Sequence, residues 1–248
     1  MQFRRFIDAT QRGLGRLELG PAGLATLLFG AVAFVGAVAV FGGATEDVTQ
    51  QNGLAVHDAA NLRVFTDHRT AWLVSLSRVV SEIGAVPVVG AIALFAGLVL
   101  WRRGFGRVYA LAPIASLGVA GGAVALTKHV VGRARPPVAV HLVSESNASF
   151  PSGHATHSAA VLLSVAFVVA VVVLRRLIVR VLVVVAAALA TGAIGASRLV
   201  LGVHWPTDVL AGWALGLGVA LAVTMAAVVV ARRSERLSPP RSSGAVDC

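Results

Sequence analysis

The sequence predicts an all-α membrane domain of six transmembrane helices. Three observations carry that expectation. Hydrophobic residues make up 57% of the 248 residues and charged residues only 13%, with a mean hydropathy of +0.83, whereas a soluble domain carries about a quarter charged residues. Six apolar runs each approach the roughly 20 residues that a helix needs to cross a bilayer. Basic residues collect at alternate ends of those runs. So much apolar surface excludes a disordered chain. The single cysteine, Cys248, excludes an intrachain disulfide framework and a cysteine-ligated zinc site.

The runs are Leu19 to Thr45, Ile83 to Trp101, Val108 to Thr127, Ala155 to Leu174, Val181 to Ser197 and Val209 to Ala231. The first is too long for a signal peptide, and five more follow it. Arg180 at the edge of the fifth can snorkel to the interface. Gly118, Gly121 and Gly122, and again Gly212, Gly216 and Gly218, are the small residues that let membrane helices approach closely. The expected organisation is a basic N-terminus at 1–18, a membrane domain at 19–231 and a disordered tail at 232–248, rich in Ser and Pro near its end.

Sidedness follows from the arginines. Arg4, Arg5, Arg12 and Arg16 precede the first run. Arg102, Arg103 and Arg107 lie between the second and third, Arg175, Arg176 and Arg180 between the fourth and fifth, and Arg232, Arg233, Arg236 and Arg241 after the sixth. These fourteen of the 21 basic residues mark one side, and the positive-inside rule makes it cytoplasmic, with both termini inside. The net charge of +10 is then a topology signal, and nucleic acid is not an expected partner.

All seven histidines fall on the opposite side or just inside a run's mouth: His57, His68, His129, His141, His154, His157 and His204. That side holds the segment 46–82, where Leu62, Phe65, Trp72, Leu73, Leu76 and Val79 recur at helical spacing. It reads as a helix on the outer interface and as a connector without a chemical role.

Three clusters at 128–208 supply fixed cations, two histidines, a carboxylate and a small-residue turn. They are Lys128-His129-Val130-Val131-Gly132-Arg133-Ala134-Arg135-Pro136, Pro151-Ser152-Gly153-His154, and Ser197-Arg198 through His204 to Asp208. That inventory suits an anion with several oxygens, such as a phosphoryl group. Ser152 stands where an N-cap would, and the free N–H groups near Gly153 and His154 offer an anion site. Gly153 lets backbone approach a ligand. Arg135 and Arg198 can grip phosphate oxygens in bidentate fashion, and Lys128 adds a point charge. Asp208, four residues after His204, can hold one ring nitrogen and leave the other free.

Other residues read more plainly. Arg133 is expected as an interfacial anchor, and His57, His129 and His141 as solvated loop residues. His157 is either a packing residue or a neighbour of a catalytic group. No His-x-x-x-His pair with a glutamate base supports a metal site, and no nucleophile elbow frames Ser152 for a serine triad.

The clusters resemble the signature of the type 2 phosphatidic acid phosphatase superfamily: K-x6-R-P, P-S-G-H and S-R-x5-H-x3-D. Every fixed position is present, in order, between Lys128 and Asp208. The six-run layout is similar to the integral-membrane branch, not to the soluble acid phosphatases and haloperoxidases. The resemblance implies that Lys128, Arg135, Ser152, Gly153 and Arg198 bind the phosphate. It implies that His204 attacks phosphorus, Asp208 orients His204, and His154 protonates the leaving oxygen and then activates water. It implies no metal and no cofactor. The expected substrate is a lipid phosphate or diphosphate in the bilayer, first undecaprenyl diphosphate, with phosphatidic acid or phosphatidylglycerophosphate as the alternative. A non-catalytic lipid-phosphate binding or transport protein is the rival of a different class, and the intact His154, His204 and Asp208 argue against it.

Overall fold

The computed structural model describes residues 21–237, and every described regular element is helical. The basic segment 1–18 and the tail beyond Leu237 lie outside the described residues. Among the described residues eight α-helices follow one another: α1 (Pro21–Gln50), α2 (Asp58–Thr66), α3 (Ala71–Ile83), α4 (Val86–Arg102), α5 (Arg107–Val131), α6 (Gly153–Val172), α7 (Leu177–Val200) and α8 (Pro206–Leu237). Within the described residues, α1, α5, α6, α7 and α8 are each long and apolar enough to cross a membrane. The α3–α4 pair, bent by 51°, makes a sixth when its two helices are counted as one span. Large apolar side chains face outward along these helices, Phe29, Phe95 and Leu189 among them. That is the pattern of a bundle whose solvent is lipid.

Several boundaries differ from the sequence reading. α1 runs five residues past Thr45, because Glu46 and Asp47 sit at its polar end, where Asp47 accepts the Leu54 N–H at 2.8 Å. α7 starts at Leu177, so Arg180 lies in its first turn and donates to the Leu174 carbonyl at 2.9 Å. α8 continues to Leu237, so residues 232–237, expected in the tail, extend the last helix.

The segment 46–82 is not one interfacial helix. It forms α1's last turn, a short 3-10 turn, α2 and α3. α3 packs on α7 with its small face, burying Ser77 and Ser81, while Trp72, Leu76 and Val79 point outward. The apolar stripe therefore faces the surroundings, as befits a helix whose solvent is apolar.

α6 and α8 form the central pair. A Cβ on Gly212 would stand 2.8 Å from the Ser152 carbonyl oxygen, and one on Gly216 would stand 2.5 Å from the Ala159 Cβ. These two glycines allow the contact that sets Ser152 beside Asp208, whose carbonyl accepts the Ser152 N–H at 3.0 Å. Gly118 and Gly122 have no such neighbour, so close approach does not explain them. Gly202, at φ +75°, turns the chain between α7 and α8, and a side chain there would strike the Val140 carbonyl and Arg69. Arg69 braces that turn by donating to the carbonyls of Val200 (2.7 Å) and Val140 (2.9 Å). The arginine-rich connections at 102–107 and 175–180 lie at the opposite end of the bundle from this turn, as the alternation of α4 to α8 requires.

Candidate active site

The three motif clusters meet where α5 ends, α6 begins, α7 ends and α8 begins. Trp205 precedes Pro206, the first residue of α8, and Asp208 reaches back to accept the Trp205 N–H at 2.9 Å. This is the reciprocal half of a capping box, with proline at the first helical position. The same Asp208 Oδ2 lies 3.3 Å from His204 Nδ1 and accepts the Ser149 hydroxyl. Both His204 and Asp208 are buried. With Nδ1–H donating to Asp208, Nε2 carries the lone pair, and it lies 3.3 Å from Arg135 Nη1.

Burial pushes the His204 pKa down to about 4. The hydrogen bond and charge of Asp208 oppose that shift, and Arg135 and Arg198 add to it. His204 is therefore a neutral imidazole near pH 7.

Arg135 donates from Nη1 to the Val203 carbonyl (2.6 Å), from Nε to the Asn147 carbonyl (2.8 Å) and from Nη2 to Asn147 Oδ1 (2.7 Å). Arg198, buried at the end of α7, donates to Ser81 of α3 and to Glu145. Lys128 donates to Asn147 Oδ1 at 3.3 Å and to the Ala148 carbonyl. Glu145 lies between the two guanidinium groups, 3.4 Å from Arg135 Nη2. Burial alone would raise its pKa, but Arg198 and Arg135 hold it below the ordinary carboxylate range. The loop 145–148 thus places oxygen acceptors on all three cations expected to bind phosphate.

Ser152 stands at the N-cap position of α6, as expected, but its side chain makes no cap bond. Its Oγ and Arg198 Nε are buried polar atoms without a protein partner. Gly153 and His154 open the helix, where the first N–H groups have no intrahelical acceptor. His154 faces the α3–α4 break, since a Cβ on Gly84 would lie 3.4 Å from its Cδ2. His157 packs one turn deeper, near Gly121 of α5. His141 is half-buried, with Nε2 2.9 Å from the Pro136 carbonyl, rather than solvated, while His57 and His129 are exposed.

The expectation for Arg133 is corrected too. Arg133 is no interfacial anchor. It pairs with Asp208 Oδ1 and Asp58 Oδ2, each at 2.6 Å, and its guanidinium lies 5.7 Å from the Trp205 ring centroid. Sequence reasoning also missed Asp58, Ser81, Glu145, Asn147, Ser149 and Thr207. Only the polar run Ser144-Glu145-Ser146-Asn147, in the loop joining the first two motifs, hinted at any of them.

Fold and side chains together define a multi-pass helical membrane protein with a cluster of cationic and histidine side chains at one end of its bundle. The PAP2 superfamily model matches residues 109–231. Decaprenylphosphoryl-5-phosphoribose phosphatase of Mycolicibacterium smegmatis is 33% identical over 157 residues, 62% of this chain and 69% of that protein. Phosphatidylglycerophosphatase B of Bacillus subtilis is 41% identical over 91 residues, 36% of this chain and 44% of that protein. The crystal structure of a transmembrane PAP2-type phosphatidylglycerolphosphate phosphatase from B. subtilis superposes with a TM-score of 0.69 at 23% identity, covering 86% of this chain and 98% of that one. LpxE of Aquifex aeolicus follows at 0.53 and 18% identity, covering 68% and 94%. The chain belongs to the PAP2 superfamily, a family of membrane lipid phosphatases, and shares its membrane fold.

Proposed function

We propose that the protein removes the terminal phosphate of a polyprenyl lipid phosphate or diphosphate, with undecaprenyl diphosphate the first candidate, through a phosphohistidine on His204. The observation that carries this reading is the set Asp208–His204–Arg135. It presents a neutral, oriented imidazole whose free nitrogen faces a guanidinium. In the first step Nε2 of His204 forms a bond to phosphorus as the bond to the leaving oxygen breaks, and His154 gives that oxygen its proton. In the second, His154 takes a proton from water as the water oxygen displaces His204 and releases orthophosphate. Lys128, Arg135 and Arg198 meet the charge on the phosphoryl oxygens, with Ser152 Oγ and the Gly153 N–H completing the cradle. These residues can do this without a metal or cofactor.

Two features favour a lipid. An apolar cavity of about 240 Å³ lies between α1, α5 and α8, lined by Phe34, Phe41, Val119, Leu215 and Val223. Its Phe41 stacks at 6.2 Å on Phe150, two residues before Ser152. A hydrocarbon tail lying there would hold its headgroup near the cradle. The relative matched over the longer stretch is named for a decaprenyl-linked phosphate. The B. subtilis relative favours a second reading, phosphatidylglycerophosphate or phosphatidic acid.

The arginine pattern supports both termini in the cytoplasm and an extracytoplasmic site at the plasma membrane. In a Cys248→Ser background, cysteines at 105 and 178 should then be shielded from impermeant thiol reagent in intact cells, and one at 146 labelled. The substrate is tested by phosphate release from polyprenyl diphosphate, decaprenylphosphoryl-5-phosphoribose, phosphatidylglycerophosphate, phosphatidic acid and a soluble phosphomonoester. The polyprenyl lipids should have the highest kcat/KM. Preference for a phospholipid would move the assignment to the second reading, and preference for the soluble ester would overturn both.

A further inference from the structure

Asp58 lies on α2, inside a segment that the sequence marked as a connector, yet its side chain is only 4% exposed. Its Oδ1 accepts the Thr207 N–H at 3.0 Å, and its Oδ2 accepts the Thr207 hydroxyl and Arg133 Nη2. Arg133 spans two carboxylates: Nη2 holds Asp58, while Nη1 donates to Asp208 Oδ1 at 2.6 Å and to Thr207 Oγ1 at 2.7 Å. Asp208 therefore has its oxygens assigned to different tasks. Oδ2 serves His204, Ser149 and the Trp205 N–H, and Oδ1 serves Arg133. We infer that Asp58, acting through Arg133 and Thr207, is a positioning residue for the His204–Asp208 pair, and that α2 is a clamp on the N-terminus of α8. The inference rests on His204 being the nucleophile.

The physical grounds are geometric and electrostatic. A carboxylate held by one oxygen can turn about its χ2 bond, and one held by both cannot. Arg133 fixes the second oxygen of Asp208, and Trp205 covers one face of the guanidinium. Without a counter-charge, the half-buried Arg133 would direct its whole positive charge at Asp208 and weaken the pull of that carboxylate on the His204 proton. Asp58 divides that charge. It also caps the second amide of α8, where the helix dipole favours an anion. The His204 ring is already faced by Asp208 from α8, Arg135 and Glu145 from the 132–152 loop, Arg198 from α7 and His154 from α6. Asp58 and Arg133 act on it from behind Asp208.

The test uses the full-length protein in detergent, with wild type, Asp58→Asn, Arg133→Gln, the double variant, Thr207→Val and His204→Ala side by side. Turnover is expressed per folded molecule, from the melting transition and size-exclusion profile. Asp58→Asn should lower kcat about tenfold and Arg133→Gln about a hundredfold, with KM within about twofold, because a misplaced catalytic group slows the chemical step without weakening binding. The acid limb of kcat/KM should move down in Asp58→Asn and up in Arg133→Gln, as a negative or a positive charge is lost behind His204. The double variant should recover part of the Arg133→Gln loss, since removing the Asp58 charge relieves its repulsion of Asp208 once Arg133 no longer neutralises both. Thr207→Val, nearly isosteric, carries the same kcat-against-KM test if Asp58→Asn does not fold. Wild-type kcat per folded molecule and an unmoved acid limb in Asp58→Asn or Thr207→Val, alongside a dead His204→Ala, would overturn the clamp alone. An active His204→Ala would overturn the mechanism beneath it.

Discussion

Glu145→Gln separates a cradle that loop 145–148 already fills from one that stands ready for substrate. In the described structure the Glu145 carboxylate accepts from Arg198 and, at 3.4 Å, from Arg135. Its lowered pKa keeps it charged throughout the neutral range. A phosphoryl group that takes both guanidinium groups must displace it. A hydrogen bond to a charged group is worth about 1.5–3 kcal/mol. The Arg135 contact is long and the Glu145 side chain 20% exposed, so only the Arg198 bond counts in full. Glutamine keeps an oxygen acceptor but loses the charge, and a neutral acceptor is roughly half as strong. About 0.8–1.5 kcal/mol of competition is then removed, a factor of roughly four to twelve in apparent affinity. The assay is the inhibition constant of orthophosphate, read beside KM for the lipid. Both should fall about four- to twelvefold in Glu145→Gln. An unchanged constant would refute displacement, and a raised one would place Glu145 among the groups that bind substrate.

Other outcomes follow from the same geometry. Asp208→Asn should retain vanadate binding while kcat falls by about 10²–10⁴, because the amide favours the wrong His204 tautomer; loss of vanadate binding with an intact fold would contradict this. Because burial lowers the His204 pKa to about 4, protonation would silence the proposed nucleophile only at low pH. The acid limb of kcat/KM should therefore lie below about pH 5, and a limb near 6.5 would show a solvated imidazole. Gly216→Val should press on the Thr156 carbonyl and Ala159, at 2.5 Å from a Cβ, and destabilise the α6–α8 pair by about 1–3 kcal/mol. Thermal melting of the purified protein reads that loss, and an unchanged Tm would show that the helices can part.

The fold was legible because the bilayer imposes its length on each apolar run, and because α5 to α8 carry the three motifs at fixed spacings near their ends. His204 and Asp208 sit four residues apart across the start of α8, so local geometry alone brings them together. The bend between α3 and α4 was harder to read, because α4 has only 17 residues and the apolar stripe of α3 faces outward. The polar support was scarcely legible, with only the run Ser144 to Asn147 hinting at it. Asp58 and Arg133 are 75 residues apart, and nothing local distinguishes Asp58 from Asp47 or Asp67. Arg133 stands two residues from Arg135, and only the turn after Gly132 decides which guanidinium faces His204 and which faces Asp208. Glu145 and Ser149 lie in a loop whose path is set by contacts with Lys128, Arg133 and Arg135 and not by periodicity.

The proposed reaction passes through a covalent phosphoryl group on His204. Rapid quenching of the enzyme with polyprenyl diphosphate labelled in its terminal phosphate, under alkaline conditions that preserve phosphoramidates, tests it most directly. The His154→Ala variant should prolong the intermediate, because its water is no longer activated. Peptide mass spectrometry should place the label on His204 in both proteins, and none should form in His204→Ala. Label on another residue, or steady turnover by His204→Ala, would contradict the account.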